Sequence, residues 1–237
     1  MTELASATAP DPGLFSRMIG VLFSPKETFA AIAARPRWIG VMAITLVVGA
    51  ACQYAILSST AMQDAMFEQA TRNPNMTEAQ IAGAERVIGY LPMVIPIGTL
   101  LFGAAFTAVI AGILMLIFST LMGGSAQFKQ VYSVVAHSGV VSMLQGIVTA
   151  GLILLGAEPS GTTAPGANLA IFVPFLDETS FVTRFLGAID LILVWFIVTL
   201  SIGLAVLYKR RTGGIAITLL AIYVVIALII GYVRSGS

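Results

Sequence analysis

The sequence predicts an all-α integral membrane protein: a five-span transmembrane helical bundle with N-terminal interfacial amphipathic helices. Three observations carry this. Of 237 residues, 58% are hydrophobic and only 10% charged, whereas a soluble domain carries about 25% charged residues, so most of the surface cannot face water. Several apolar runs reach the roughly twenty residues that an α-helix needs, at about 1.5 Å per residue, to cross a hydrocarbon core about 30 Å thick. The segment before the first run is neither long enough nor uniformly apolar enough to span, yet it repeats with helical period.

That segment, residues 1–37, comes first in the chain. Leu14, Phe15, Met18, Ile19, Leu22 and Phe23 fall on one helical face. Ser24 then stands as an N-cap, Pro25 at the first helical position and Glu27 as the partner in a capping box. Phe29, Ile32 and Ala33 continue an apolar stripe to Arg35-Pro36. Two short helices follow from this pattern. They lie in the cytoplasmic interface, anchored by Arg17, Lys26, Arg35 and Arg37, or pack on the inner loops of the bundle; the pattern alone allows both.

Residues 38–237 form the membrane domain. Trp38 to Leu57, Val131 to Leu155, Phe185 to Leu207 and Gly214 to Val233 each read as one span. From Val87 to Phe128 there is no Asp, Glu, Lys or Arg. One span, Ile97 to Met122, is expected there. Pro92 and Pro96 should break helix near its start, and Gly123-Gly124-Ser125 supplies the turn at its end. Between spans, the outer loop 58–96 has helical signals of its own. Ala61 to Thr71 ends at Asn73-Pro74-Asn75, and Thr77-Glu78-Ala79-Gln80 is a capping box opening a second helix toward Tyr90. The second outer loop, 156–184, starts with a cluster of Gly, Pro, Ser and Thr and ends in the apolar stretch Leu169 to Leu176, placed to dip back onto the membrane surface.

Lys and Arg counts orient the bundle. With the N-terminus inside, the inner segments hold Arg17, Lys26, Arg35, Arg37, Lys129, Lys209, Arg210 and Arg211, against Arg72, Arg86, Arg184 and Arg234 outside. The N-terminus is therefore expected in and the C-terminus out. Asp64, Glu68, Glu78, Glu85, Glu158, Asp177 and Glu178 then make the outer face negative. No cleaved signal peptide is expected, because the first apolar run begins only at Trp38 and is a full span in length. Cys52, after Gly49-Ala50-Ala51, reads as a small hydrophobe rather than a lipidated residue, since a leader of that length is too long.

Composition excludes several functions. With a net charge of +1 there is no basic face for nucleic acid. One Cys and one His provide neither a disulfide nor a structural metal site, so no metal and no cofactor are expected. No HExxH helix, GxSxG elbow or phosphate-binding glycine loop is present, and no second His or Cys completes a nucleophile and base pair, so the reading is not an enzyme.

Polar groups within the spans are the remaining candidates. Ser138, Ser142, Gln145 and Thr149 recur at spacings of four, three and four, which places them on one face of the third span. Helix packing through small and hydroxylated side chains is one account, and a polar pathway for an ion or solute is the other. His137 lies near the inner end of that span and Asp190 near the outer end of the fourth, as the one charge clearly inside a span. Antiparallel neighbours leave about 12 Å between their depths, too far for a direct pair.

Several short motifs, in this order and five-span setting, resemble the YIP family, the Ypt-interacting proteins and their bacterial relatives. They are Phe23-Ser24-Pro25 with Thr28-Phe29 and Ile32 before Pro36-Arg37-Trp38; Phe128-Lys129-Gln130-Val131; and Asp190-Leu191 followed by Trp195 and Gly203-Leu204-Ala205. The resemblance covers nearly the whole chain. It implies a helical bundle with a cytoplasmic N-terminal region, in a family whose eukaryotic members bind prenylated Rab GTPases and serve vesicle traffic. This chain lacks their Asp-Leu-Tyr-Gly-Pro motif and looks more like the bacterial branch. The resulting expectation is a non-enzymatic interaction, scaffold or membrane-organising element of a bacterial cytoplasmic membrane. Its partners are the lipid bilayer and a protein at the cytoplasmic face, with no nucleic acid, and a homo-oligomer is not indicated. Phe15, Met18, Ile19, Leu22 and Phe23 are the expected membrane or partner surface, and Lys209, Arg210 and Arg211 the expected lipid-headgroup contacts. The alternative is a small transporter or channel using the polar face of the third span with His137 and Asp190.

Overall fold

The computed structural model describes residues 12–159, 168–173, 175–176 and 180–235. Two short helices, α1 (Leu14–Phe23) and α2 (Pro25–Ala34), precede α3 (Ile39–Leu57), α4 (Thr60–Ala70), α5 (Glu78–Met122) and α6 (Phe128–Leu154). After a single 3₁₀ turn at Leu169–Phe172 come α7 (Phe181–Gly187), α8 (Leu191–Tyr208) and α9 (Thr212–Ser235). Helices α3, α5, α6, α8 and α9 are long and apolar enough to cross a membrane. No strand occurs among the described residues, only an isolated bridge between Asn168 and Asp190. The expected all-α, five-span architecture is the one observed.

Two boundaries differ from expectation. Pro92 and Pro96 do not interrupt the helix: α5 runs unbroken for 45 residues from the Thr77 cap to Gly123. A proline costs a helix one backbone donor and crowds the preceding turn. Here the two lie four residues apart, so the carbonyls left without intrahelical donors are those of Ile88 and Pro92, on one side of a long apolar helix. The helix expected to end near Tyr90 and the span expected from Ile97 are thus one element. Its start is as the sequence indicates, since Thr77 and Gln80 form both arms of the capping box at 2.8 and 3.3 Å. Its end is too, with Gly123 in the left-handed region at φ +62°, where L side chains are disfavoured.

The second difference is at the fourth span. Helix begins at Leu191, not Phe185, because Asp190 is its N-cap. The preceding residues form the separate α7, which packs against α9 and the 3₁₀ turn. The Asp177-Glu178 pair and residues 160–167 of the second outer loop lie outside the described residues.

Packing decides the arrangement of the ends. Helix α6 is central, in contact with α1, α2, α3, α5 and α8. Its first half, Val131 to Ser138, is buried throughout. Phe29 and Ile32 of α2 are fully buried in the same core as Val134, Leu200 and Leu204. The approach is close enough that a Cβ on Gly203 would lie 2.5 Å from Val134 and 3.0 Å from Phe29. Gln130 Nε2 donates to the Ala33 carbonyl at 2.9 Å, tying the end of α2 to the start of α6. Trp38 meets Tyr132 edge-on at 4.8 Å between ring centroids, and Tyr132 donates to the Ala104 carbonyl of α5 at 3.1 Å. The two N-terminal helices are therefore integral to one end of the bundle. Arg35-Pro36-Arg37, Lys129 and Lys209-Arg210-Arg211 lie in the same end region, and we call it the basic end.

Candidate functional site

At the basic end, α1 divides the apolar face that its sequence presents as one. Phe15, Ile19 and Phe23 recur at i, i+4 and i+8 and are 69%, 59% and 80% exposed. Met18 is buried, Leu22 is half-buried against the core, and Val21 is fully buried beside them. The expected surface of Phe15, Met18, Ile19, Leu22 and Phe23 is thus corrected. The apolar face is wider than one contact needs, so Met18 and Leu22 turn inward against the bundle and three side chains remain outside. The Ser24 cap is also corrected in detail. Ser24 occupies the N-cap position of α2, but its side chain makes no capping hydrogen bond there. Instead Thr28 Oγ1 donates to the Ser24 carbonyl at 2.8 Å.

The basic cluster at the α8–α9 turn lines an open cleft. Lys209 ends α8 in the left-handed region, φ 52°, which no other described non-glycine residue adopts. This sharp reversal brings Lys209, Arg210 and Arg211 to face Lys26 and Ala30 of α2 across a cavity of about 500 Å³ also lined by Ala205 and Val206. The floor is apolar and the rim cationic. Such a combination is suited to an anionic headgroup with part of its acyl or glycerol portion, because charge attracts the head while the floor takes the apolar part. Lys26 is the member the sequence reading did not join to the cluster. The contact is made by folding α2 onto α8, and no spacing along the chain announces it.

The polar residues of α6 do not act as a set. Ser138 is buried and donates to the Val134 carbonyl of its own helix at 2.9 Å; Ser142 is exposed; Thr149 is buried. Gln145 alone reaches a polar side chain on another helix, its Nε2 donating to Asp190 Oδ2 at 2.6 Å. Asp190 Oδ1 accepts from the backbone N–H groups of Ile192 and Leu193 at 2.7 and 3.0 Å. Its own N–H donates to Tyr223 Oη at 2.9 Å, and Tyr223 in turn donates to the Ala188 carbonyl at 2.8 Å. Asp190 is therefore a structural junction of α6, α8, α9 and the outer loop. Its interpretation as a charge inside a span is corrected to a helix cap. An Asp followed by a wholly apolar run is an N-cap signal, and it was legible in the sequence.

His137 is fully buried, and its Nδ1–H donates to the Ser133 carbonyl at 2.8 Å. It lies eight residues from Gln145, about 12 Å along the α6 axis, so it does not meet the Asp190 junction. Among the described residues no group of three or more His, Cys, Asp or Glu could hold a metal ion. Cys52 is a free thiol, half-buried beside Gly146.

Five apolar helices, a docked N-terminal helix pair and a basic cleft together define a helical integral membrane protein. The chain matches the Yip1 domain over residues 19–233, nearly its full length, and belongs to that family. No curated protein and no solved structure matches it.

Proposed function

We propose that this member of the Yip1 family is a non-enzymatic interaction or membrane-organising element, working at its basic end. The observation that carries the reading is the pairing of an exposed apolar stripe, Phe15, Ile19 and Phe23, with the cationic cleft of Lys26, Lys209, Arg210 and Arg211. Both are presented by helices that α2 locks to the bundle. An apolar stripe beside cations matches the boundary of an anionic leaflet, where rings and branched chains enter the acyl region and ammonium and guanidinium groups meet headgroups. It equally positions that end to receive a protein partner lying on the membrane. The excess of Lys and Arg among inner segments supports a cytoplasmic basic end, with the N-terminus in and the C-terminus out. The lack of the Asp-Leu-Tyr-Gly-Pro motif of the eukaryotic members supports a bacterial-type member in a cytoplasmic membrane.

A transport pathway along Ser138, Ser142, Gln145 and Thr149 draws no support from the contacts of Ser138 and Gln145, which lead to the helix's own backbone and to a helix cap. The test of the main reading is a triple variant, Phe15→Ser, Ile19→Ser and Phe23→Ser, compared with wild type by in-cell crosslinking and affinity recovery. The expected result is loss of crosslinked partners with membrane insertion retained, as judged by resistance to alkaline extraction. An unchanged partner profile overturns the reading. Deleting residues 1–23 is a poorer test, since Met18 and Val21 belong to the core.

A further inference from the structure

The cleft at the basic end has two walls of different origin. Helix α2 supplies Lys26, and the turn between α8 and α9 supplies Lys209, Arg210 and Arg211. Four cations thus line one cavity of about 500 Å³, within the range of about 300 to 1,000 Å³ of small-molecule sites. No Asp or Glu is among the described residues that line it. Lys26, Lys209 and Arg211 are exposed and have no side-chain partner among the described residues. Lys209 adds a second sign. At φ 52° it holds a conformation that glycine adopts freely and an L side chain disfavours, so the ammonium is kept at the rim against the preference of its backbone. The turn beneath it is closed, because the Arg210 N–H donates to the Ala205 carbonyl at 2.9 Å.

Depth identifies the source of the ligand. Helix α8 has 18 residues, about 27 Å at 1.5 Å per residue, against a hydrocarbon thickness of about 30 Å. Lys209 follows its last residue and therefore stands at headgroup depth, while Ala205, four residues earlier, lies about 6 Å closer to the acyl chains. The cleft crosses that boundary, with cations at its rim and Ala30, Ala205 and Val206 as its floor. A free anion would use the rim alone, whereas a lipid uses both. Charge then narrows the class. A headgroup with one phosphodiester carries a single negative charge and leaves most of the four cations repelling one another. Two phosphates on one headgroup supply an anionic group to each wall.

We propose that this cleft is a site for one lipid whose headgroup carries two phosphate groups, one meeting Lys26 and the other Lys209 and Arg211. The proposal rests on the reading of the basic end as the working end, and names the lipid it takes. The occupant joins α2 to the α8–α9 turn, and so bears on α1, which packs on α2.

The experiment uses the full chain in a neutral maltoside detergent, with bound ligand counted by native mass spectrometry on titration with three probes at equal total phosphate. These are cardiolipin, phosphatidylglycerol and inorganic pyrophosphate. The expected result is one cardiolipin per chain, retained at about ten-fold lower concentration than phosphatidylglycerol, and no retention of pyrophosphate. In the double variant Lys26→Gln with Lys209→Gly the preference should fall to about two-fold or less. Glycine suits the left-handed position, so this variant keeps its fold. The control is Arg72→Gln with Arg86→Gln, which removes two exposed charges that do not line the cleft and should leave the preference at about ten-fold. The proposal is overturned if wild type retains cardiolipin and phosphatidylglycerol equally, if pyrophosphate is retained as well as cardiolipin, or if the two double variants behave alike. A serine variant of α1 that loses its partners, in a protein without the cardiolipin preference, overturns this proposal alone. A cardiolipin preference with an unchanged partner profile overturns the earlier reading alone.

Discussion

Gln145 donates its side-chain amide to Asp190 across 2.6 Å, and that carboxylate also caps α8 through the N–H groups of Ile192 and Leu193. One carboxylate thus closes the first turn of α8 and holds it to α6. Substituting Asp190→Ala removes both functions, and with the cap alone contributing about 1 to 2 kcal/mol, a clear fall in Tm in detergent is expected. Asp190→Asn keeps an oxygen for the cap, and Gln145 can rotate its amide to present its own carbonyl to the new NH₂. Its Tm should lie close to wild type. A proton-relay role would reverse this order of severity in any activity measurement.

Gly203 marks the tightest meeting of α2, α6 and α8. A methyl there collides with Val134 and Phe29, neither of which has open space to move into, since both are fully buried. Overpacking of this kind costs about 1 to 3 kcal/mol. Gly203→Ala should lower Tm accordingly, while Gly139→Ala, with open space around it, should not. Equal effects from the two would remove the close approach as the cause.

Gln130 ties the last turn of α2 to α6 through the Ala33 carbonyl. With Gln130→Ala the junction at Arg35-Pro36-Arg37 should open more often, because the bond gives that end of α2 a side-chain anchor to another helix. Limited trypsin digestion of the detergent-solubilised protein should then cut at Arg37 several-fold faster than in wild type, with cutting at Arg72 and Arg86 unchanged.

Helix α5 carries Pro92 and Pro96 without breaking. Two missing donors should still weaken the turns that precede them. Backbone amides of residues 88–98 should exchange hydrogen faster than those of 104–118, and Pro92→Ala with Pro96→Ala should slow that exchange while preserving the helix. Exchange that is uniform along α5 in wild type would show that the prolines cost it nothing.

The spans and their ends were legible wherever one local signal dominated. Apolar length placed α3, α6 and α9; Thr77 with Gln80 opened α5, and Gly123 closed it. Reading failed where local and non-local forces compete. Pro92 and Pro96 are breakers by local chemistry, but the surrounding apolar length favours helix over an exposed backbone in lipid. At the start of α6 the Gln130 side chain accepts from the Gln127 N–H at 3.0 Å, a cap contact that its place in the family motif does not announce. The face of α1 looked uniform because periodicity reports which residues are apolar and not how many of them the bundle can cover. Arg17 belongs with the interfacial anchors by sequence because no one-dimensional pattern shows that the packing of α1 buries it. Lys26 was separated by almost the whole chain from the cluster it joins.

The unbroken α5 has a geometric consequence for the membrane around it. Its charge-free part from Val87 to Met122 is about 54 Å long at 1.5 Å per residue, against a hydrocarbon thickness of about 30 Å. To immerse all of it, the helix would have to lean by about 55° from the bilayer normal, beyond the range of about 0 to 40° found for spanning helices. Some of its apolar length must therefore be sheltered by something other than flat bilayer, whether a locally thickened or curved leaflet or another protein surface. A single helix that outgrows its membrane is a device for imposing mismatch, and here its C-terminal end is held at the basic end, where Ser119 meets the Tyr208 hydroxyl and Phe118 its ring.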